Sequence, residues 1–175
     1  MSLIFCVRCV PVKTPPKIKR YKIEWGHDFY KELPRNHAFI FEDPKPEFEF
    51  YKYISTKYDV SIQNADFDVA VEVSGKLFYL SFYEVDYVGS KINVMGMVID
   101  KALQGTALGS VVEDRQGYVR HGDEKWYIVM EARSSDGFDA LHPDYKDRTL
   151  IVDYLENMRQ QYLDLQNYND ALLLD

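Results

Sequence analysis

Between residues 67 and 82, large apolar side chains fall on every second position. Phe67, Val69, Val71 and Val73 alternate with Asp68, Ala70 and Glu72, and after Ser74-Gly75 the beat resumes with Phe78, Leu80 and Phe82. Doubling the chain back on a two-residue Ser74-Gly75 turn opposes Val71 to Phe78, Val69 to Leu80 and Phe67 to Phe82, all on one face of an antiparallel hairpin. Asp68/Ser81, Ala70/Tyr79 and Glu72/Leu77 then form a more polar reverse face. A slip of one position would turn the three apolar pairs to water, so the register is strongly specified.

The same patterns predict the remaining elements. Residues 3–12 read as an apolar strand, ended by Pro11 and Pro15-Pro16. Residues 17–25 alternate, with Tyr21, Ile23 and Trp25 on the apolar side. Residues 38–42 form a short apolar run closed by Asp43-Pro44-Lys45-Pro46. Residues 48–54 are aromatic and compatible with a strand, and 55–65 are too polar to assign. In 90–105, Ile92, Met95, Ile99, Ala102 and Leu103 share a helical stripe between an N-capping Ser90 and a terminal Gly105, which favours a helix over a strand. Residues 111–113, 118–121 and 125–132 read as strands, with Trp126, Ile128, Met130 and Ala132 on one face. A loop rich in Ser, Asp, Gly and Pro covers 134–146. Residues 149–172 then predict a helix roughly 36 Å long, with Ile151, Leu155, Met158, Tyr162, Leu165 and Leu172 on one side and Asp153, Glu156 and Gln160 away from it. Asn169 breaks that stripe, leaving the last turns to project or to meet a second copy in a homodimer.

These elements predict an α+β fold: a curved antiparallel sheet, one mid-chain helix and a long C-terminal helix packed on one face. Residues 1–175 are expected to form a single domain, a length that buries enough surface to fold without a disulfide or metal. No apolar run approaches the length of a membrane span, and the short apolar N-terminus lacks the flanks of a signal peptide. Two cysteines make no disulfide framework and point to the reducing cytoplasm.

Charge narrows the partners. Of the net charge of −7, residues 1–35 contribute +5, from eight Lys/Arg against three acids, so the rest of the chain carries −12. An acidic body disfavours nucleic acid and anionic membrane and favours a basic protein. The basic stretch 13–22 reads most simply as a solvated strand edge guarded by lysines.

Candidate chemistry is sparse. Cys6 and Cys9 have C-x-x-C spacing, but they sit in a strand-like run that points them to opposite faces, and no second ligand pair completes a zinc site. His121-Gly-Asp123 and His142-Pro-Asp144 place a histidine and an acid on one side of an extended backbone, the arrangement a divalent ion needs if the two loops converge. Gly122 and Pro143 also make both segments ordinary turns. No nucleophile-elbow G-x-S-x-G occurs, and 105–110 lack the lysine of a phosphate loop.

The residual signal is aromatic: 15% of the chain, including 14 Tyr. Tyr79, Tyr83 and Tyr87 recur on the strand face opposite Phe78, Leu80 and Phe82, with Asp66, Asp68, Glu72 and Asp86 nearby. Either a layer covers these rings or they form an exposed platform. Tyrosine among acids is the composition of a surface that grips a basic protein.

With no complete catalytic constellation and no cofactor motif, the expectation is a non-enzymatic protein-binding module. Its small, acidic α+β character is that of antidote and immunity-type inhibitors, a likeness of composition alone. The alternatives are a metal-dependent hydrolase using His121, Asp123, His142 and Asp144, and a small-ligand carrier with an aromatic-lined cavity.

Overall fold

The computed structural model describes residues 14–46, 48–60, 68–87, 91–94 and 125–165. The elements follow the order β1 (Lys22–Trp25), α1 (Gly26–Phe29), β2 (His37–Asp43), α2 (Glu49–Tyr58), β3 (Val69–Val73), β4 (Lys76–Asp86), β5 (Lys91–Val94), β6 (Trp126–Ser134) and α3 (Arg148–Asp164). All strand pairings are antiparallel. The spatial order is β1-β2-β6-β4-β3, with β5 also on β4. The fold is α+β, an open sheet with a mid-chain and a C-terminal helix on one face.

The β3–β4 hairpin has the register that the alternation dictates. Val69 lies opposite Leu80, Ala70 opposite Tyr79, Val71 opposite Phe78 and Glu72 opposite Leu77. Ser74 and Gly75 both take positive φ, 50° and 75°, the mirror-image turn whose twist matches its flanking strands. Phe67, and with it the expected pairing to Phe82, lies outside the described residues.

The mid-chain helix arises elsewhere than the periodicity suggests. Residues 49–58 are helical, and Lys91–Val94, expected to begin a helix, instead pair as a strand with Tyr83–Asp86. Phe50, Tyr51, Tyr53 and Ile54 favour strands by propensity, but tertiary packing overrides that preference. The two ends of α2 are held in ways no local motif announces. The Phe48 N–H donates to both carboxyl oxygens of fully buried Glu84, at 3.1 and 3.2 Å, which sets acceptors against the helix N-terminus. Asp59 then ends the helix in the left-handed conformation. The remainder of 90–105, the expected strands at 3–12, 111–113 and 118–121, and both cysteines lie outside the described residues.

α3 buries Ile151, Leu155, Met158 and Tyr162, as its stripe requires. Its end is set by Lys45, whose ammonium donates to the carbonyls of Tyr162 and Leu165 and lies 4.5 Å from the Tyr162 ring. A cation on the last carbonyls satisfies groups the helix leaves unpaired. Glu156, assigned to the outer side, is instead buried: it accepts hydrogen bonds from Arg20, Arg159 and Gln160. Burial alone would raise its pKa, but these donors hold it down at about 2. The helix, expected to reach 172, ends at Asp164 with Leu165 extended; the residues after Leu165, and with them the expected contact with a second copy, lie outside the described residues.

Between sheet and helices the core is built ring upon ring. Phe50 stands edge-on to Tyr162 at 5.0 Å and to Phe82 at 5.6 Å, and meets Phe41 at 6.2 Å. The same core takes in Val69, Val71 and Val73 from β3, and Ile128, Met130 and Ala132 from β6. Among the described residues, no helix is long and apolar enough to cross a membrane. Because Phe50 touches β2, β4 and α3 at once, Phe50→Ala is expected to cost about 3–5 kcal/mol, read as a lowered urea midpoint at unchanged m-value.

Candidate functional site on the open face of the sheet

The face of β4 turned away from the helices carries Leu77, Tyr79, Ser81, Tyr83, Val85 and Tyr87. It divides into a covered and an open half. Over one half, the N-terminal segment lays Ile18, Phe29, Tyr30 and Leu33 on Ala38, Ile40, Val85, Tyr127 and Val129, with Tyr83 and Tyr87 at the margin. Phe29 lies 5.4 Å from Tyr87 and 5.2 Å from Tyr127, whose hydroxyl donates to the Pro16 carbonyl at 2.6 Å. Tyr83 and Tyr87 are therefore part of a second core, and only Tyr79 of the three tyrosines belongs to the open half.

The open half has Ala70 and Glu72 of β3 exposed, Leu77 42% exposed and Tyr79 half-buried. Phe138, 65% exposed, sits at the same end of the sheet, in the loop after β6, with its N–H donating to Ser134 Oγ. Glu72 and Asp136 are exposed and make no ion pair among the described residues. Asp68 shares this face, but its charge is matched: Ser81 donates to one carboxylate oxygen at 2.7 Å and Arg133 to the other. Asp86 is one position out of step with the tyrosines and is buried on the helix-covered face, beside Trp126 in register. Asp66 lies outside the described residues.

Between the two halves runs a polar seam. Glu131 of β6 lies opposite Ser81, is 3% exposed, and accepts one hydrogen bond, from Asn36 at 3.2 Å. Its other carboxylate oxygen has no hydrogen-bond partner among the described residues and faces Gly26, where a Cβ would stand 3.5 Å away. Burial pushes the Glu131 pKa up to about 7; the acids Asp139 and Asp68 add to the rise, while Asn36 and Arg133 oppose it. Tyr83 is pushed up as well, first by burial and then by the charges of Glu131 and Asp68.

The two His-x-Asp segments fare differently. His121 and Asp123 lie outside the described residues. His142 Nδ1 is 3.8 Å from an Asp144 carboxylate that is almost wholly in solvent, and it accepts a hydrogen bond from the Asp144 N–H, as in an ordinary turn. Its ring meets His37 edge-on at 5.1 Å. His37 is tied by its ring and its N–H to Asp139, at 2.7 and 2.8 Å, and its ring lies tilted against Trp25 at 4.3 Å. With the N–H of Leu141 also donating to Asp139, this cluster clamps the 139–142 loop to β2. Among the described residues, no group of three or more His, Cys, Asp or Glu is placed to hold a metal ion. The His37–Asp139 pair joins residues 102 positions apart, so no spacing in the chain could announce it.

No protein-family model, curated protein or solved structure matches this chain. The site's chemistry therefore rests on its own geometry. That geometry offers an apolar and aromatic patch bordered by acids that are unpaired among the described residues, and a buried carboxyl whose pKa is pushed up to about 7.

The sign of the pH effect follows from Glu131. In the unfolded chain it loses its proton near 4.5; in the folded protein, near 7. Across that window the folded state binds more protons, so this group's contribution to stability is greatest below pH 4.5, falls as pH rises to 7, and is level above. Glu131→Gln, which keeps an acceptor for Asn36 without the charge, is expected to gain stability relative to the wild type as pH rises from 4.5 to 8. It should also flatten the slope between pH 4.5 and 7, as read from urea unfolding at a series of pH values.

Proposed function

We propose that this protein is a non-enzymatic, cytoplasmic binding module that docks a basic protein partner on the open half of its sheet, in the manner of an antidote or immunity-type inhibitor. The observation that carries the reading is the patch itself. Leu77 stands exposed and Tyr79 half-buried, beside exposed Ala70, with Glu72 unpaired among the described residues at their border. Apolar and tyrosine anchors supply the desolvated centre of an interface. Acids at the rim steer a partner of opposite charge and set its orientation. The −12 carried by residues 36–175 extends that attraction beyond the contact area.

The residues assigned to binding are now fewer. Tyr79 and Glu72 remain, joined by Leu77. Tyr83 and Tyr87 support the platform from the adjoining core, and Asp68 is held by Arg133. The aromatic rings between sheet and helices pack on one another, and no observation favours a ligand carrier.

Immobilised protein, incubated with lysate of the source cells at low salt, should retain a basic protein that Leu77→Ala/Tyr79→Ala and, separately, Glu72→Lys release, while circular dichroism of both variants stays unchanged. Retention should also fall steeply as salt is raised toward about 0.5 M. Capture that survives both variants, or a captured protein without excess positive charge, would overturn the proposal.

A further inference from the structure

We propose that a second copy of this chain pairs with the free edge of β3, joining two sheets antiparallel across a two-fold axis at Val71. This is independent of the docking proposal above. β3 is the terminal strand of the sheet order, and among the described residues no strand pairs with its outer edge. The two-residue turn makes Val73 and Lys76 a hydrogen-bonded pair, and antiparallel ladders alternate from there. Val73, Val71 and Val69 therefore bond to β4, and the backbone N–H and C=O groups of Ala70 and Glu72 point outward.

The two outer edges of the sheet differ in their protection. β1 carries Lys22, with Lys19 and Arg20 just before it, the charges that discourage edge pairing. β3 reads Val-Ala-Val-Glu-Val, with no proline and no basic residue. A mostly apolar edge strand without proline or lysine is a template for another strand.

The sequence selects the partner strand and its register. Of the symmetric pairings, an axis at Glu72 would set the two Glu72 side chains against each other. An axis at Ala70 would set Asp68 against Glu72. An axis at Val71 sets Ala70 opposite Glu72 twice, Val69 opposite Val73 twice, and Val71 opposite itself, with no like charges in register. It also brings the outward-pointing residues of both strands together, so that each Ala70/Glu72 pair exchanges two backbone hydrogen bonds. Such an interface is isologous, the self-complementary type of a two-fold dimer. The valines of both copies stay on the helix-covered face, and the open faces merge into one surface.

The test is sedimentation equilibrium of the full chain over a range of concentrations. The wild type is expected to approach twice its 20.6 kDa mass. Ala70 is exposed, so its replacement leaves the core intact. Ala70→Lys places a cation opposite each Glu72 and should tighten the dimer by about threefold to tenfold. Ala70→Glu should loosen it by a similar factor. Leu77→Ala/Tyr79→Ala, on β4 and away from the paired edge, should leave the dimer unchanged while abolishing capture of a basic partner, which separates this proposal from the previous one. A monomer at every concentration, or a dimer indifferent to both Ala70 variants, would overturn the pairing, as would recruitment of a different protein's strand to β3 in place of a second copy.

Discussion

Eleven consecutive residues of β4 must satisfy four environments at once, and the rest of the molecule is arranged around how they do so. One edge of the strand is paired with β6 from Phe78 to Asp86, and the other is shared between β3 and β5. One face presents Phe78, Leu80 and Phe82 to α2 and α3; the other presents Tyr83 and Val85 to the N-terminal layer and leaves Leu77 and Tyr79 open. A shift of one residue in this strand would exchange the two faces and bring three large apolar side chains to water.

Long-range polar contacts decide where the helices begin and end. Glu84 reaches from β4 to the backbone of Phe48, and Lys45 reaches from the loop after β2 to the last carbonyls of α3. Glu84 supplies acceptors at a helix start, and Lys45 a cation at a helix end. Tyr51 and Tyr162 reinforce the same joints: the Tyr51 hydroxyl accepts from the Glu84 N–H at 2.9 Å, and the Tyr162 hydroxyl donates to Asp43 at 3.0 Å. The described tyrosines serve chiefly as such joints, with the ring in the core and the hydroxyl on a polar partner. Their abundance is thus mostly architectural, and the surface assigned to recognition is small and specific.

The polar seam stands between these two roles. Asp68, Ser81 and Arg133 form a matched set, whereas Glu131 is left with one donor and an unpaired oxygen in a buried place. Stability is given up here, since a neutral side chain of the same shape would avoid the cost of burying charge. The group lies where the N-terminal layer meets the sheet, between Asn36 and Gly26.

The alternation in residues 67–82 was enough to establish the β3–β4 register, because two-residue periodicity and a two-residue turn are local properties. The stripe of Ile151, Leu155, Met158 and Tyr162 was likewise enough to establish α3 and its buried side. The helical period misplaced the mid-chain helix at 90–105, whereas the aromatic residues of α2 favour strands until a sheet face is there to receive them. It also misjudged Glu156, whose burial depends on an arginine 136 positions away. Which tyrosines are core and which are open, why His142 meets His37, and why Glu131 holds its proton are settled by tertiary structure alone. Each depends on segments far apart in the chain being brought within a few ångströms, and spacing along a sequence carries no record of that.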